Sequence, residues 1–210
     1  MSGPDAVALA DNLRRLELFY GPRLAEHGTT HKAVGWLRPE SQRVRFENLA
    51  VVAGLDALSV LDVGSGLGDL YPFLRARGHR GDYLGLDALP EMVARARALH
   101  PDARFLCADV NDDEVRVEAD VVFASGVITF SEPDVARHTI AALFRSARQI
   151  VGFNALSTWD PAPAQPPVRP HDPLEILAFC KTLTPYVMLR HDYSVQDFTI
   201  HLFRGPHTPA

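Results

Sequence analysis

The chain has 210 residues, 47% of them hydrophobic and 22% charged, which is typical of a globular domain long enough to bury a sizeable core. The formal net charge is -5, and Lys and Arg are scattered, so no basic stripe would attract nucleic acid or anionic lipid. No apolar run reaches the roughly 18 residues that a membrane span needs, and the N-terminal stretch MSGPDAVALADNLRR has acidic residues where a signal peptide would have a basic start. We therefore expect a cytoplasmic protein without a nucleic-acid or membrane partner.

The predicted elements begin with an amphipathic helix over Ala6–Tyr20, a polar stretch, and a second helix over about Glu40–Ala53. Strands are then expected in the runs LSVLDVG, DYLGLDA, ARFLCADV, ADVVFASGV and RQIVGFNAL. Helices separate several of them: DLYPFLRARGH, which ends at Gly78, PEMVARARALH, with Pro90 in its first turn, and about Pro133–Arg148. Alternating strands and helices predict an α/β fold with a parallel sheet covered on both faces.

The last third of the chain changes character. The stretch Asp160–Pro173 contains six prolines, which exclude the interior of a helix or a sheet; it is either a flexible lid or a solvated loop. Asp172 as N-cap, Pro173 at the first position and Glu175 at the third predict a helix. The runs YVMLRHDY and DFTIHLFR are separated by about three residues, too few for a parallel crossover, so an antiparallel hairpin should close the sheet.

The two cysteines and the histidines give little sign of a metal site. Cys107 and Cys180 both lie in apolar runs, which predicts buried free thiols in a reducing compartment. No Cys/His cluster has the spacing of metal ligands, so we expect no metal.

The stretch VLDVGSGLGD holds a glycine-rich bend after the first strand of the predicted sheet. A dinucleotide-binding fingerprint reads G-x-G-x-x-G, but here Gly64 and Gly66 are followed by Asp69 at the position of the third glycine, and Gly68 precedes it. A carboxylate there opposes a phosphate, and Asp62 adds a second one before the bend. The bend therefore favours a ligand with an ammonium or sulfonium centre.

Two further carboxylates follow the next strands. Asp87 ends the second strand, where an acidic residue accepts hydrogen bonds from ribose hydroxyls in nucleotide-binding sheets. Asp109 follows the third strand and is placed to accept from an adenine amino group. Either aspartate alone is as readily a turn former or a helix cap, but three acidic strand ends together with a glycine bend predict a nucleoside-containing ligand.

The motifs VLDVGSGLGDL, YLGLDALPEMVARARAL, ARFLCADV and ADVVFASGVITF resemble those of class I S-adenosylmethionine-dependent methyltransferases. The resemblance implies a Rossmann-like, doubly wound, seven-stranded sheet, mostly parallel with a terminal antiparallel hairpin, and S-adenosylmethionine as cofactor. It places these cofactor-binding residues: Asp62, Gly64, Gly66 and Gly68 at the methionine portion, Asp87, Ala88 and Leu89 at the adenosine, Asp109 and Val110 at the adenine, and Ser125 and Gly126 beneath the methyl group.

The segments flanking this region are similar to a narrower branch of the family, in which the chain before the first strand covers the cofactor. The expected organisation is a single domain, 1–210, with a helical cover over 1–56 and the proline-rich loop or lid over 158–173. Tyr20, Trp36 and Arg45 should then lie near the cofactor, with Arg45 paired to its carboxylate. The alternatives are that Arg45 lies on a helix surface and that Trp36 packs in the core.

Candidate catalytic residues are Asn154 and Ser157, in GFNALSTW near the C-terminal edge of the sheet, although both side chains suit local backbone contacts equally well. Among the other candidates, we expect a surface or packing role for His31 and His171. His191 and Tyr193 should have structural roles in the hairpin.

Three functions remain open on the sequence. The first is methyl transfer to a small-molecule acceptor in a biosynthetic pathway, which the acidic balance favours. SGVI after the fourth strand, where amino-methylating nucleic-acid enzymes carry an Asn-Pro-Pro-Tyr-like tetrad, also favours a small molecule. The second is another use of the same cofactor, such as cyclisation with release of methylthioadenosine. The third is a non-catalytic subunit that binds the cofactor.

Overall fold

Seven strands form one sheet in this computed structural model, which describes residues 3–36 and 38–207. The predicted domain 1–210 also includes residues 1, 2, 37 and 208–210, which lie outside the described residues. The strands are β1 Val60–Val63, β2 Tyr83–Asp87, β3 Arg104–Cys107, β4 Ala119–Ser125, β5 Ala147–Leu156, β6 Val187–Arg190 and β7 Asp197–Phe203.

The order of the strands across the sheet is β3-β2-β1-β4-β5-β7-β6. Strands β1 to β5 pair in parallel, whereas β7 is antiparallel to both of its neighbours, β5 and β6. The Rossmann-like sheet with a terminal antiparallel hairpin is therefore confirmed. The hairpin connection, residues 191–196, is longer than the three residues expected.

Six helices accompany the sheet in the described residues: α1 Ala6–His27, α2 Pro39–Leu49, α3 Leu70–Ala76, α4 Pro90–Leu99, α5 Pro133–Ser146 and α6 Pro173–Leu183. The Asp172 side chain caps α6 by accepting from the Leu174 amide, as the sequence predicts. Alternate residues of β4 supply both cores: Val122 packs on one face with α5 and α6, and Phe123 packs on the other with α2, α3 and α4. None of the described helices has the length and apolar character to cross a membrane.

Helix boundaries differ from the sequence-based expectation at three places. Helix α1 continues through Pro22 to His27, because buried Leu24 anchors its last turns in a small apolar core. Helix α2 ends at Leu49 rather than Ala53, because buried Val52 packs from a turn that follows the helix. Helix α3 ends at Ala76 rather than at Gly78. Tertiary packing thus overrides local periodicity at these ends.

The expectation of two buried thiols holds for one cysteine. Cys180 of α6 is fully buried, but Cys107 is exposed. It lies in β3, an edge strand in which Phe105 alone is buried, so an apolar run there does not imply burial on both faces.

Candidate active site

A cavity of about 480 Å³ opens at the carboxyl edge of the parallel strands. Ligands of open α/β sheets bind at this edge, where the chain leaves each strand and turns into the next connection. Residues that follow β1, β2, β3, β4 and β5 form the floor, α1 and α2 cover one side, and part of the proline-rich loop after β5 covers another.

Most of the predicted site residues line this cavity: Tyr20, Trp36, Arg45, Asp62, Gly64, Gly66, Asp87, Ala88, Leu89, Asp109, Val110, Ser125, Gly126 and Ser157. Two of them, Gly68 and Asn154, do not. The strand ends and the helical cover therefore meet at one cavity. Gly68 and Asn154 are directed elsewhere by contacts described below.

The glycine bend turns the chain from β1 into α3 beneath the cavity. The Gly64 and Ser65 amides both donate to the Leu86 carbonyl, which ties the bend to β2 at 2.8 and 3.1 Å. Gly68 has a φ of 81°, and a Cβ on it would lie 2.7 Å from the Phe105 ring. Gly68 thus allows close packing of the bend against β3. The sequence placed it among the cofactor-binding residues, but it does not line the cavity.

Asp62 lies at the inner wall of the cavity beside the bend. It is 3% exposed, and the Tyr83 hydroxyl donates to its Oδ2 at 2.6 Å. The pKa of Asp62 is raised to about 7, chiefly by burial and also by the neighbouring Asp87 and Asp69, while the hydrogen bond from Tyr83 opposes the rise. A cationic ligand would favour the ionised form of this carboxyl group.

Asp69, the second carboxylate of the bend, is turned toward the cover. Its Oδ2 accepts from the Gln42 side-chain amide of α2 at 2.8 Å, and both residues line the cavity. The bend is therefore flanked by carboxylates on both sides, as the sequence indicated.

The ends of β2 and β3 place two more carboxylates on the same wall. Asp87 Oδ2 accepts from the Gly66 amide at 2.8 Å and Oδ1 from the Leu89 amide at 2.9 Å. Burial raises the pKa of Asp87, although these two amides oppose the effect. Asp109 uses one oxygen for Asn111. Each carboxylate is thus oriented by backbone amides and keeps hydrogen-bonding capacity for a ligand.

Arg45 of α2 is buried, so the alternative that placed it on a helix surface is wrong. Its guanidinium forms an ion pair with Asp197, at the start of β7, and lies 4.4 Å from the Trp36 ring centroid. Its Nη1 is beside Gly126, where a Cβ would lie 3.2 Å from it. Asp197 was missed because 152 residues separate it from Arg45 and no local pattern marks the pairing.

Tyr20 belongs to an aromatic group formed by α1 and the segment after β4. Its ring meets Phe19 at 5.0 Å and Phe130 at 6.0 Å, in both cases edge to face. Burial raises the pKa of Tyr20 to about 12. Sequence reasoning also missed Asn12, Leu16 and Phe19 of α1, which line the cavity beside Tyr20.

The two predicted catalytic residues have different surroundings. Asn154 is fully buried: it accepts from the Ser125 hydroxyl at 3.1 Å and donates to the Arg45 carbonyl at 3.2 Å. Its side chain joins β4, β5 and α2 and does not reach the cavity, contrary to the prediction. Ser157 follows β5, is 2% exposed and lines the cavity. His171 is buried with Nε2 2.9 Å from the Ile128 carbonyl, which fits the structural role expected of it.

Comparisons with known proteins agree with this architecture. A family model described as a methyltransferase domain matches residues 60–149. A Mycobacterium tuberculosis protein named as a methyltransferase, Rv1506c, is 33% identical over 165 residues, which cover 72% of this chain and 96% of that protein. Trans-aconitate 2-methyltransferase of Escherichia fergusonii is 32% identical over 83 residues, but these span only 40% of this chain and 30% of that enzyme.

Among solved structures, magnesium protoporphyrin IX methyltransferase of Synechocystis PCC 6803, with bound S-adenosylhomocysteine, has the same fold. Its TM-score is 0.70 at 15% identity, over 93% of this chain and 100% of that one. The 33% identity to Rv1506c over 96% of that protein, the matching domain and the shared fold lead to one conclusion: the chain belongs to the class I S-adenosylmethionine-dependent methyltransferases.

Proposed function

We propose that this enzyme transfers the methyl group of S-adenosylmethionine to a small-molecule acceptor, and that the cavity at the carboxyl edge of the sheet holds both. The observation that carries the proposal is the convergence of Asp62, Asp87 and Asp109, from the ends of three neighbouring strands, on one cavity. These three carboxyl groups accept hydrogen bonds and attract positive charge, and they do not suit a diphosphate.

The residues present fit S-adenosylmethionine in chemistry and order. Asp87, fixed by two backbone amides, would accept from the ribose hydroxyls, and Leu89 and Val110 offer apolar surface for the adenine. Asp62 would face the positively charged methionine portion. When bound, S-adenosylmethionine supplies a methyl group made electrophilic by the sulfonium.

Arg45 supports a site for the carboxylate of the methionine portion. Asp197 engages its Nη2, and Nη1 lies beside Gly126, which directly follows β4. Stacking against Trp36 limits the rotation of the guanidinium. We propose that Arg45 binds that carboxylate through Nη1, while Asp197 holds the guanidinium in place.

The cover and the proline-rich loop support a small acceptor. We propose one domain in which residues 1–56 cover the cofactor and residues 158–173 close the acceptor end. Asp160, Gln165 and Val168 of that loop line the cavity, and the Arg169 amide ties the loop to the Thr129 carbonyl at 2.8 Å. The names of two similar proteins, which refer to trans-aconitate and to magnesium protoporphyrin IX, also favour a small molecule.

The charge of the cavity wall restricts the acceptor further. In the described part of the chain, its acidic residues are Asp62, Asp69, Asp87, Asp109, Asp160 and Asp197, and its one basic residue, Arg45, is paired with Asp197. We propose a neutral or cationic acceptor, because an anion would meet uncompensated carboxylates. The two free cysteines support a reducing compartment, which we propose is the cytoplasm.

The experiment is turnover with S-adenosylmethionine carrying a deuterated methyl group, in a metabolite extract and with matched neutral, cationic and anionic acceptors. Mass spectrometry should find S-adenosylhomocysteine together with a neutral or cationic product that has gained one labelled methyl. Methylthioadenosine as the product would replace transfer by cyclisation. Tight binding of S-adenosylmethionine without turnover of any acceptor would indicate a non-catalytic subunit.

A further inference from the structure

A serine and a histidine from distant parts of the chain meet at the acceptor end of the cavity. Ser157, after β5, and His191, after β6, are 34 residues apart, yet Ser157 Oγ lies 2.8 Å from His191 Nε2. Ser157 lines the cavity, whereas His191 lies outside its wall and is partly exposed. The wall therefore presents a serine hydroxyl with an imidazole behind it.

Backbone contacts orient the Ser157 hydroxyl. The Ser157 amide donates to the Gln196 carbonyl at 2.8 Å, which fixes the residue against the start of β7. The Trp159 amide donates to Ser157 Oγ at 3.0 Å and so occupies one of its two lone pairs. The hydroxyl proton is then free to point at His191 Nε2, and the second lone pair is available to a donor in the cavity.

The His191 imidazole lies among aromatic rings and is partly exposed. Trp159 lies 4.8 Å from its ring and Phe198, of β7, lies parallel to it at 6.5 Å. These two residues and Ser157 face the imidazole and carry no charge. The charged neighbours along the chain, Arg190 and Asp192, bind each other at 2.8 Å. Partial exposure gives a proton on the ring a route to solvent.

Other side chains of the cavity are less suited to this task. Its wall contains no histidine, lysine or cysteine among the described residues. Asp62, Asp87 and Asp109 lie at the ends of β1, β2 and β3, on the side proposed for the cofactor. Asp160 is in the acceptor loop, but its Oδ1 already accepts from the Ala162 amide at 3.0 Å. It is the alternative proton acceptor that an experiment must separate from Ser157.

We propose that Ser157 and His191 form a proton relay, and that the acceptor of this enzyme is therefore methylated on a hydroxyl group. The inference rests on the proposed function. A hydroxyl must lose its proton as it becomes an ether, whereas a carboxylate attacks without a base. Ser157 is the catalytic residue because it touches the acceptor, and His191 is a positioning residue that acts through it.

The proton and electron movements balance. As the acceptor oxygen forms its bond to the methyl carbon, the sulfur–methyl bond breaks and its electron pair remains on sulfur. The acceptor proton passes to Ser157 Oγ while the Ser157 proton passes to His191 Nε2. The imidazolium then releases its Nδ1 proton to solvent. Exchange with solvent that removes the Nε2 proton and returns one to Nδ1, together with rotation of the Ser157 hydroxyl, restores the starting state.

The first test needs no acceptor. Nitrogen-15 NMR of histidine-labelled wild-type protein, saturated with S-adenosylhomocysteine, identifies which nitrogen of neutral His191 carries the proton. The relay requires the proton on Nδ1, with Nε2 accepting from Ser157. A proton on Nε2 would make the histidine the donor and would overturn the relay. Failure to bind S-adenosylhomocysteine would instead count against the proposed function.

The second test uses the acceptor identified by the labelled-methyl experiment. Ser157→Ala and His191→Gln should each lower kcat by about 100-fold or more at neutral pH with little change in KM, and the double variant should be no worse than either. The wild type should lose activity at acidic pH, where a protonated His191 cannot accept the Ser157 proton, and this loss should disappear in His191→Gln. Tyr193→Phe, in the same loop, is the matched control and should keep both the rate and the pH profile.

Three results would contradict the relay while leaving methyl transfer intact. The first is a product methylated on nitrogen or on a carboxylate. The second is a His191→Gln variant that still loses activity at acidic pH. The third is an Asp160→Asn variant that no longer loses activity at acidic pH. Unchanged affinity for S-adenosylhomocysteine shows that a variant is folded.

Discussion

Replacing Asp62 by Asn should stabilise the free protein and weaken cofactor binding. Burial raises the pKa of this carboxyl group from 3.8 to about 7. Between these two values the native state holds a proton that the unfolded state has lost, so stability falls as the pH rises through this range. At about 1.4 kcal/mol per pH unit, the full effect above pH 7 is on the order of 4 kcal/mol. Asparagine removes this penalty and can still accept from the Tyr83 hydroxyl.

Urea unfolding of the free protein measures the effect. We expect the variant to be more stable than the wild type by about 2–4 kcal/mol at about pH 8 and to differ little at about pH 4. Asp120→Asn is the opposite control. Hydrogen bonds from Ser59 and the Arg148 guanidinium hold the pKa of Asp120 well below its usual range. Asp120→Asn should therefore be less stable than the wild type at every pH above the usual pKa of an aspartate.

Calorimetric titration with S-adenosylmethionine tests the functional half of the same prediction. Loss of the charge on Asp62 should weaken binding by about 10- to 100-fold, equivalent to about 1.5–3 kcal/mol. Wild-type affinity should rise with pH through about 7, because the cation favours the ionised carboxylate, and the variant should show no such rise. A variant that is less stable at about pH 8, or that binds S-adenosylmethionine as tightly as the wild type, would refute the reasoning.

Three further predictions concern other parts of the site. Asp87→Ala should lose about 1.5–3 kcal/mol of affinity for S-adenosylhomocysteine by calorimetry, and preferential binding of NAD by the wild type would contradict the assignment. Asp197→Ala leaves the Arg45 charge buried without its partner and should lower the free energy of unfolding in urea by about 3–5 kcal/mol. Gly68→Ala should lower the thermal unfolding temperature, since a Cβ would meet Phe105 at 2.7 Å, whereas cofactor affinity in the folded fraction should persist.

The local pattern of the sequence was sufficient to predict the sheet and the part of the site that is formed by the strand ends. Alternating strands and helices, together with the glycine bend, predict a parallel doubly wound sheet, and strand ends necessarily meet at one edge. Asp62, Asp87 and Asp109 could therefore be brought together without a structure. The hairpin was predictable because its two strands are too close in sequence to pair in parallel.

Tertiary structure alone decided the pairings between distant segments. Arg45 meets Asp197 and Ser157 meets His191 because β7 is inserted between β5 and β6, an arrangement that no local periodicity encodes. The same packing directs the Asn154 side chain to the Ser125 hydroxyl and the Arg45 carbonyl. It also places Gly68 against Phe105 and leaves Cys107 exposed on an edge strand. A sequence states which side chains are available, but their partners are fixed only when the elements pack, since burial and hydrogen bonding depend on neighbours far along the chain.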